Sequence, residues 1–165
     1  MPAIIPCLWF AGQAEEAARF YVSVFPNSRV LSVNPAPEGT PGADAGDVLT
    51  VEFELDGTRF TGLNGGPQFH FDESVSFQID TADQAETDRY WDALVADGGE
   101  ESVCGWLKDR FGLSWQVVPR RLTELMTDAD PARASRALKA MLEMRRIDIA
   151  AIEAAADAPS PAHAS

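Results

Sequence analysis

Residues 105–119 read Gly105-Trp106-Leu107-Lys108-Asp109-Arg110-Phe111-Gly112-Leu113-Ser114-Trp115-Gln116-Val117-Val118-Pro119. The pattern predicts a strand, a tight turn and a second strand. Asp109 to Gly112 has turn chemistry, acidic first and glycine last. From Leu113 the side chains alternate. Leu113, Trp115 and Val117 make a wholly apolar face that requires a core, and Ser114, Gln116 and Val118 make a partly polar one. The stretch Ser74-Val75-Ser76-Phe77-Gln78-Ile79-Asp80 repeats this split, with Val75, Phe77 and Ile79 opposite Ser74, Ser76 and Gln78. Two strands distant in sequence thus each present hydroxyls and an amide on one side. An antiparallel sheet with one face in water would give that pattern, and so would a curved sheet whose concave face lines a small-molecule pocket.

Working outward, the first half predicts strand, helix and three strands. Ile4 to Phe10 is a short apolar run, with Pro6 placing it at a sheet edge or at the start of pairing. Ala14 to Phe25 has helical spacing, with Ala17, Tyr21, Val24 and Phe25 on one face. Arg29–Val33, Val48–Leu55 and Arg59–Asn64 read as strands. Asn34 to Gly46 is a Pro/Gly-rich loop, and Asp56-Gly57 is a hairpin turn. In the second half, the strand at Ser74–Asp80 leads to a helix capped by Asp83 with Glu86 three residues on. Thr87, Trp91, Leu94 and Val95 form its stripe, and Gly98-Gly99 ends it. A strand over Glu101–Lys108 and the strand Leu113–Val118 follow. Beyond residue 120, a short helix at Arg121–Met126 precedes a helix opened by Asp130-Pro131. Leu138, Met141, Leu142, Ile149 and Ile152 supply its stripe. Ala154–Ser165 reads as a frayed tail.

The 165 residues suit one domain with a sizeable core, and nine Phe and four Trp provide its material. The net charge of −13 argues against nucleic-acid binding. No apolar run is long enough for a bilayer, and no secretory signal pattern opens the chain, so the expected location is cytoplasmic. Two cysteines, Cys7 and Cys104, fit reduced thiols there. Arg133, Arg136, Lys139, Arg145 and Arg146 form a late basic group, read as a solvated or interface face.

Three segments carry a family resemblance: PCLWFAGQAEEAARFYVSVFPNS from Pro6, NGGPQFHFDESVSF from Asn64, and CGWLKDRFGLSWQVVP from Cys104. With them the chain resembles the PhnB-like branch of the glyoxalase, or vicinal oxygen chelate, superfamily, in the group labelled demethylubiquinone methyltransferase. The resemblance implies an α+β fold of paired βαβββ modules. Their mixed or antiparallel sheets would form a cup with helices outside, usually in a homodimer. It places the modules at 1–67 and 68–120 of a domain spanning 1–120, a helical extension at 121–153 and a disordered tail at 154–165. The superfamily's metal positions fall on Ile5, Gly62, Ser74 and Gln116. Ile and Gly offer no side-chain ligand, and Ser and Gln only weak neutral ones, where divalent metals need imidazole, carboxylate or thiolate. No metal and no cofactor are therefore expected. Gly65-Gly66-Pro67 is also not the glycine turn of a nucleotide-type cofactor site.

The expected pocket wall is Ile5, Cys7, Trp9, Phe60, Asn64, Ser74, Ser76, Gln78, Trp106, Ser114 and Gln116. It is aromatic and neutral polar, which suits a small, weakly polar ligand. With no carboxylate and no His on it, no general base is evident. Cys7 is the first candidate nucleophile, but lacks a sequence-local base and reads more readily as an inert small side chain. His70 with Asp72 and Glu73 could form a metal cluster, though surface residues are the plainer reading. Lys108, Asp109 and Arg110 read as a charged hairpin tip. Three functional readings follow: a metal-free binding protein; a metal-dependent lyase, isomerase or dioxygenase using His70, Glu52 or Glu54; and a scaffold whose dimer interface, with interchain ion pairs from Arg133, Arg136 and Lys139, is the function.

Overall fold

The computed structural model describes residues 3–159. The chain divides into two compact units, the first ending at Phe71 and the second beginning at Asp72.

In the first unit, β1 (Cys7–Phe10), α1 (Ala14–Val24), β2 (Arg29–Pro35), β3 (Val48–Leu55) and β4 (Thr58–Asn64) form a four-stranded sheet in the order β1-β4-β3-β2. The β1·β4 pair is parallel and the others antiparallel, so the sheet is mixed. β1 starts at Cys7 rather than at the expected Ile4. Pro6 has no N–H for the ladder, and its carbonyl accepts from Thr61 N at 2.9 Å just before regular pairing begins. The β3–β4 turn is the expected hairpin, with Asp56 and Gly57 both at positive φ, 44° and 82°. Ala14, Ala17, Ala18 and Tyr21 of α1 are buried. Small residues bring the helix close: a Cβ on Gly62 would lie 3.2 Å from Ala14 Cβ. Phe53 stacks on Phe60 at 5.3 Å between centroids to complete this core.

The second unit repeats the order: β5 (Ser76–Thr81), α2 (Gln84–Val95), β6 (Glu100–Glu101), β7 (Trp106–Lys108) and β8 (Ser114–Pro119), in the sheet order β5-β8-β7-β6. β5·β8 is parallel and the other pairs antiparallel. Asp83 caps α2 as the sequence predicts, accepting from Glu86 N at 2.8 Å, while Glu86 accepts from Ala82 N at 2.7 Å. Thr87, Trp91 and Leu94 are buried with Tyr90. Leu113, Trp115 and Val117 are each at most 4% exposed, so the alternation in β8 reads the core face correctly.

Three expectations for this unit need correction. The single strand expected over Glu101–Lys108 is broken. Cys104 and Gly105 adopt positive φ, 59° and 81°, and their N–H groups donate at 2.7 Å to the carbonyls of Met144 and Arg145. The break yields β6 and β7, and so makes the second unit a βαβββ module like the first. The charged hairpin tip is also only partly right, because Asp109 is 2% exposed. Its carboxylate accepts from Phe111 N, Leu113 N and the Trp115 indole N–H at 2.9, 3.1 and 2.9 Å. Finally, the long appended helix is two helices, α4 (Pro131–Leu142) and α5 (Ile149–Asp157), preceded by α3 (Arg120–Met126).

These three helices enclose their own core of Leu122, Leu125, Ala137, Ile147, Ile152 and Ala156. Leu138 and Leu142 of the expected stripe are instead exposed. The basic group serves this packing within the chain. Arg133 pairs with Asp128 and Asp157. Arg136 donates to Ala156 O. Arg146 pairs with Asp88 and Asp92 of α2. Arg133 and Arg136 are thus engaged within the chain. α5 extends to Asp157, past the expected start of the tail at Ala154; residues 160–165, with His163, lie outside the described residues.

Candidate ligand-binding face

In each sheet one face packs on the unit's helix and the other faces away, and strand pairing decides which residues share a face. In the second sheet, Ser76, Ser114, Lys108 and Glu100 are successive cross-strand partners, as are Gln78, Gln116 and Trp106. The face opposite α2 thus unites Ser76, Gln78, Trp106, Ser114 and Gln116, five residues of the expected wall. It also includes Lys108, whose face the sequence leaves open across the turn, and Glu100, which the sequence did not assign to it. Gln116 Nε2 donates to Ser76 Oγ at 2.9 Å. Lys108 Nζ lies 2.6 Å from Glu73 Oε1. The hydrogen bond to Glu73 holds the Lys108 ammonium above its ordinary pKa, and the same contact holds Glu73 below the usual carboxylate range. Ser74, expected on this wall, precedes the strand. It is exposed and its N–H and hydroxyl both bond to Asp72 Oδ1.

In the first sheet the expected wall mixes two faces. Cys7 and Trp9 partner Thr61 and Leu63, and Thr61 in turn partners Glu52. Phe60, Gly62 and Asn64 lie on the other side, against α1. Phe60 is 6% exposed in the core. Asn64 Oδ1 accepts from Ala14 N at 2.9 Å, serving where Gln13 gives no side-chain cap, and its Nδ2 donates to Val48 O at 2.9 Å. The physical cause is a one-residue shift of register: period two fixes two faces, but the β1·β4 pairing determines which β4 face continues that of β1. Thr61, with Leu63, is the residue missed. Ile5 precedes β1 and stays partly exposed.

Trp9 is held by its surroundings. Its indole N–H donates to Gly66 O at 2.8 Å, and Phe69 meets its ring edge-on at 4.9 Å. A Cβ on Gly65 would fall 2.3 Å from two indole carbons. The Gly65-Gly66 pair is thus a cradle for Trp9. Thr61 Oγ1 donates to both Glu52 carboxylate oxygens at 3.0 Å. Partial burial, and then the Glu52 charge, push the Cys7 thiol above its ordinary pKa, the opposite of what a nucleophile needs. In a Cys104→Ser background, Cys7 should react with a disulfide reagent at pH 8 more slowly than a free thiol, and Glu52→Gln should speed it. A rate above that of the free thiol would contradict this account.

The resemblance implies a divalent metal, but the donor set does not fit one. Among the described residues, no group of three or more His, Cys, Asp or Glu side chains could hold a metal ion. Asp72 is engaged by Ser74 and Glu73 by Lys108, and His70 is exposed. At the positions where the resemblance puts ligands, Ile5 and Gly62 offer none, and Ser74 and Gln116 offer only a hydroxyl and an amide, which do not fit a divalent site.

The family model described as 3-demethylubiquinone-9 3-methyltransferase matches residues 2–118, and the chain belongs to that family. A solved neighbour carries the PhnB name. A Bacillus cereus structure titled putative 3-demethylubiquinone-9 3-methyltransferase, PhnB protein, is 29% identical, covering 72% of this chain and 99% of that one, with a TM-score of 0.64. Protein PA1353 from Pseudomonas aeruginosa is 21% identical over 72% of this chain and 98% of its own, with a TM-score of 0.60, and shows the shared fold. The fosfomycin resistance protein FosX from Mesorhizobium loti, at 14% identity over 70% and 89% of the two chains and a TM-score of 0.48, is too distant to support an argument about activity. No curated protein matches the chain. Among the described residues, no helix is long and apolar enough to cross a membrane.

Proposed function

We propose that this protein is a member of the glyoxalase superfamily that binds a small polar organic molecule on the face of the second sheet opposite α2, without the superfamily's divalent metal. The observation that supports this is the donor set of that face. Ser76, Gln78, Ser114 and Gln116 offer hydroxyls and amides beside the half-buried Trp106 ring. Such a surface orients a ligand by hydrogen bonds and aromatic contact. It supplies no carboxylate–imidazole set for a Lewis acid. Glu52 and Glu54, the carboxylates an atypical metalloenzyme would recruit, are engaged by Thr61 and by Arg29 at 3.3 Å. The Gly65-Gly66 pair, explained by Trp9, gives no support to a nucleotide-type methyl-donor site. The same reading takes the protein as a cytoplasmic homodimer, to which the exposed Leu138 and Leu142 of α4 lend support.

Elemental analysis of protein purified without chelators tests this reading. Metal content should fall far below one equivalent, and adding zinc, manganese or nickel should leave the melting temperature unchanged. A ligand that binds only the folded state raises that temperature by mass action. About one equivalent of bound metal with a rise of several degrees would therefore overturn the proposal.

A further inference from the structure

The second unit carries a pocket of about 130 Å³ lined by Glu73, Glu100, Glu101, Trp106, Lys108 and Ser114, among others. Ser114 is 1% exposed and its Oγ is buried without a hydrogen-bond partner. Buried hydroxyls are normally satisfied, so an orphan in a pocket wall points to a group supplied from outside. Two neighbours are likewise uncommitted among the described residues. The indoles of Trp9, Trp91 and Trp115 each donate to a protein acceptor, whereas the Trp106 N–H has none. Glu100 makes no direct ion pair among the described residues: Lys108, its cross-strand partner, bonds to Glu73 and meets Glu100 only through the longer-range attraction of its charge. With Lys108 matched by Glu73, the pocket retains the negative charge of Glu100 next to an aromatic ring. A carboxylate and an aromatic face together favour an ammonium group. The indole N–H beside them is a donor and requires an oxygen acceptor.

We propose that this pocket takes a small primary amine with a neighbouring oxygen, of the amino-alcohol or amino-acid class. This rests on the binding reading above and names the ligand chemistry of the same face. The ammonium is placed at Glu100, the oxygen at the Trp106 N–H, and Ser114 bonds to whichever of them lies deeper.

The test uses the full chain labelled with ¹⁵N at the tryptophan indoles, the Trp106 resonance being assigned with Trp106→Phe. Ethanolamine is titrated beside ethylene glycol, which lacks the ammonium, and ethylamine, which lacks the oxygen. Ethanolamine should shift the Trp106 resonance saturably, with the other two at least about tenfold weaker, as expected for loss of a charge-assisted or a donated hydrogen bond. Glu100→Gln, at an exposed position, should weaken ethanolamine by a similar factor. Ser114→Ala should weaken it too, with unchanged Trp9 and Trp115 resonances showing an intact fold. Equal responses to all three probes, or an unaffected Glu100→Gln, would overturn the assignment. If ethanolamine gives no shift while neutral aromatics do, this inference falls and the binding reading stands. If nothing binds, both fall.

Discussion

Asp109→Ala should lower the unfolding free energy by about 4 kcal/mol, the largest effect expected from a single side chain here. The carboxylate accepts from the Trp115 indole N–H and serves Phe111 N and Leu113 N as well. Truncation leaves these donors unsatisfied around a buried site, where each costs on the order of 1–3 kcal/mol and water can relieve only the half-buried Phe111. Asp109→Asn separates charge from shape. Its one amide oxygen can still accept, but its NH₂ then opposes a donor, so a loss of about 2 kcal/mol is expected. Urea unfolding followed by near-ultraviolet circular dichroism reads both. A loss below about 1 kcal/mol for the alanine variant would mean that the turn holds itself by backbone bonds alone. The same variant should weaken any ligand bound at Trp106 and Ser114, since the turn sets the register between β7 and β8.

Gly105→Ala should cost about 3 kcal/mol, with two causes acting together. The backbone there has φ of 81°, which a side chain disfavours. The added Cβ would also lie 2.9 Å from Val117 O and 3.2 Å from Ile147 Cγ1. Neither neighbour yields easily: Val117 is in the β8 ladder, and Ile147 is 1% exposed in the helical core. Moving the bend also strains the bonds from Cys104 and Gly105 to Met144 and Arg145. Hydrogen exchange should therefore show protection lost in both the bend and the α4–α5 region. Gly112→Ala is the control. Its φ of 85° is equally unfavourable, but a Cβ there meets nothing within 4 Å, so its loss should be about 1 kcal/mol. Equal losses in the two variants would show that backbone conformation alone matters and that the contact with the extension does not.

Much of the architecture is legible in the chain because its causes are local. Alternation in β3 and β8 separates core from opposite face, Asp83 and Asp130 mark helix starts, and Asp56-Gly57 fixes a hairpin. The first βαβββ module follows from these signals in order, whereas the second gains its extra strand only from the break at Cys104-Gly105. What the sequence does not carry is pairing between distant segments. That pairing puts Thr61, not Gly62, beside Cys7, and turns Phe60 and Asn64 toward α1. It also converts Asp109 from an apparent surface charge into a buried acceptor, and spends Arg133, Arg136 and Arg146 within the chain. Side-chain period gives each strand two faces at no cost in sequence separation. Which faces join, and which charges meet, depends on contacts tens of residues apart, and only tertiary packing decides them.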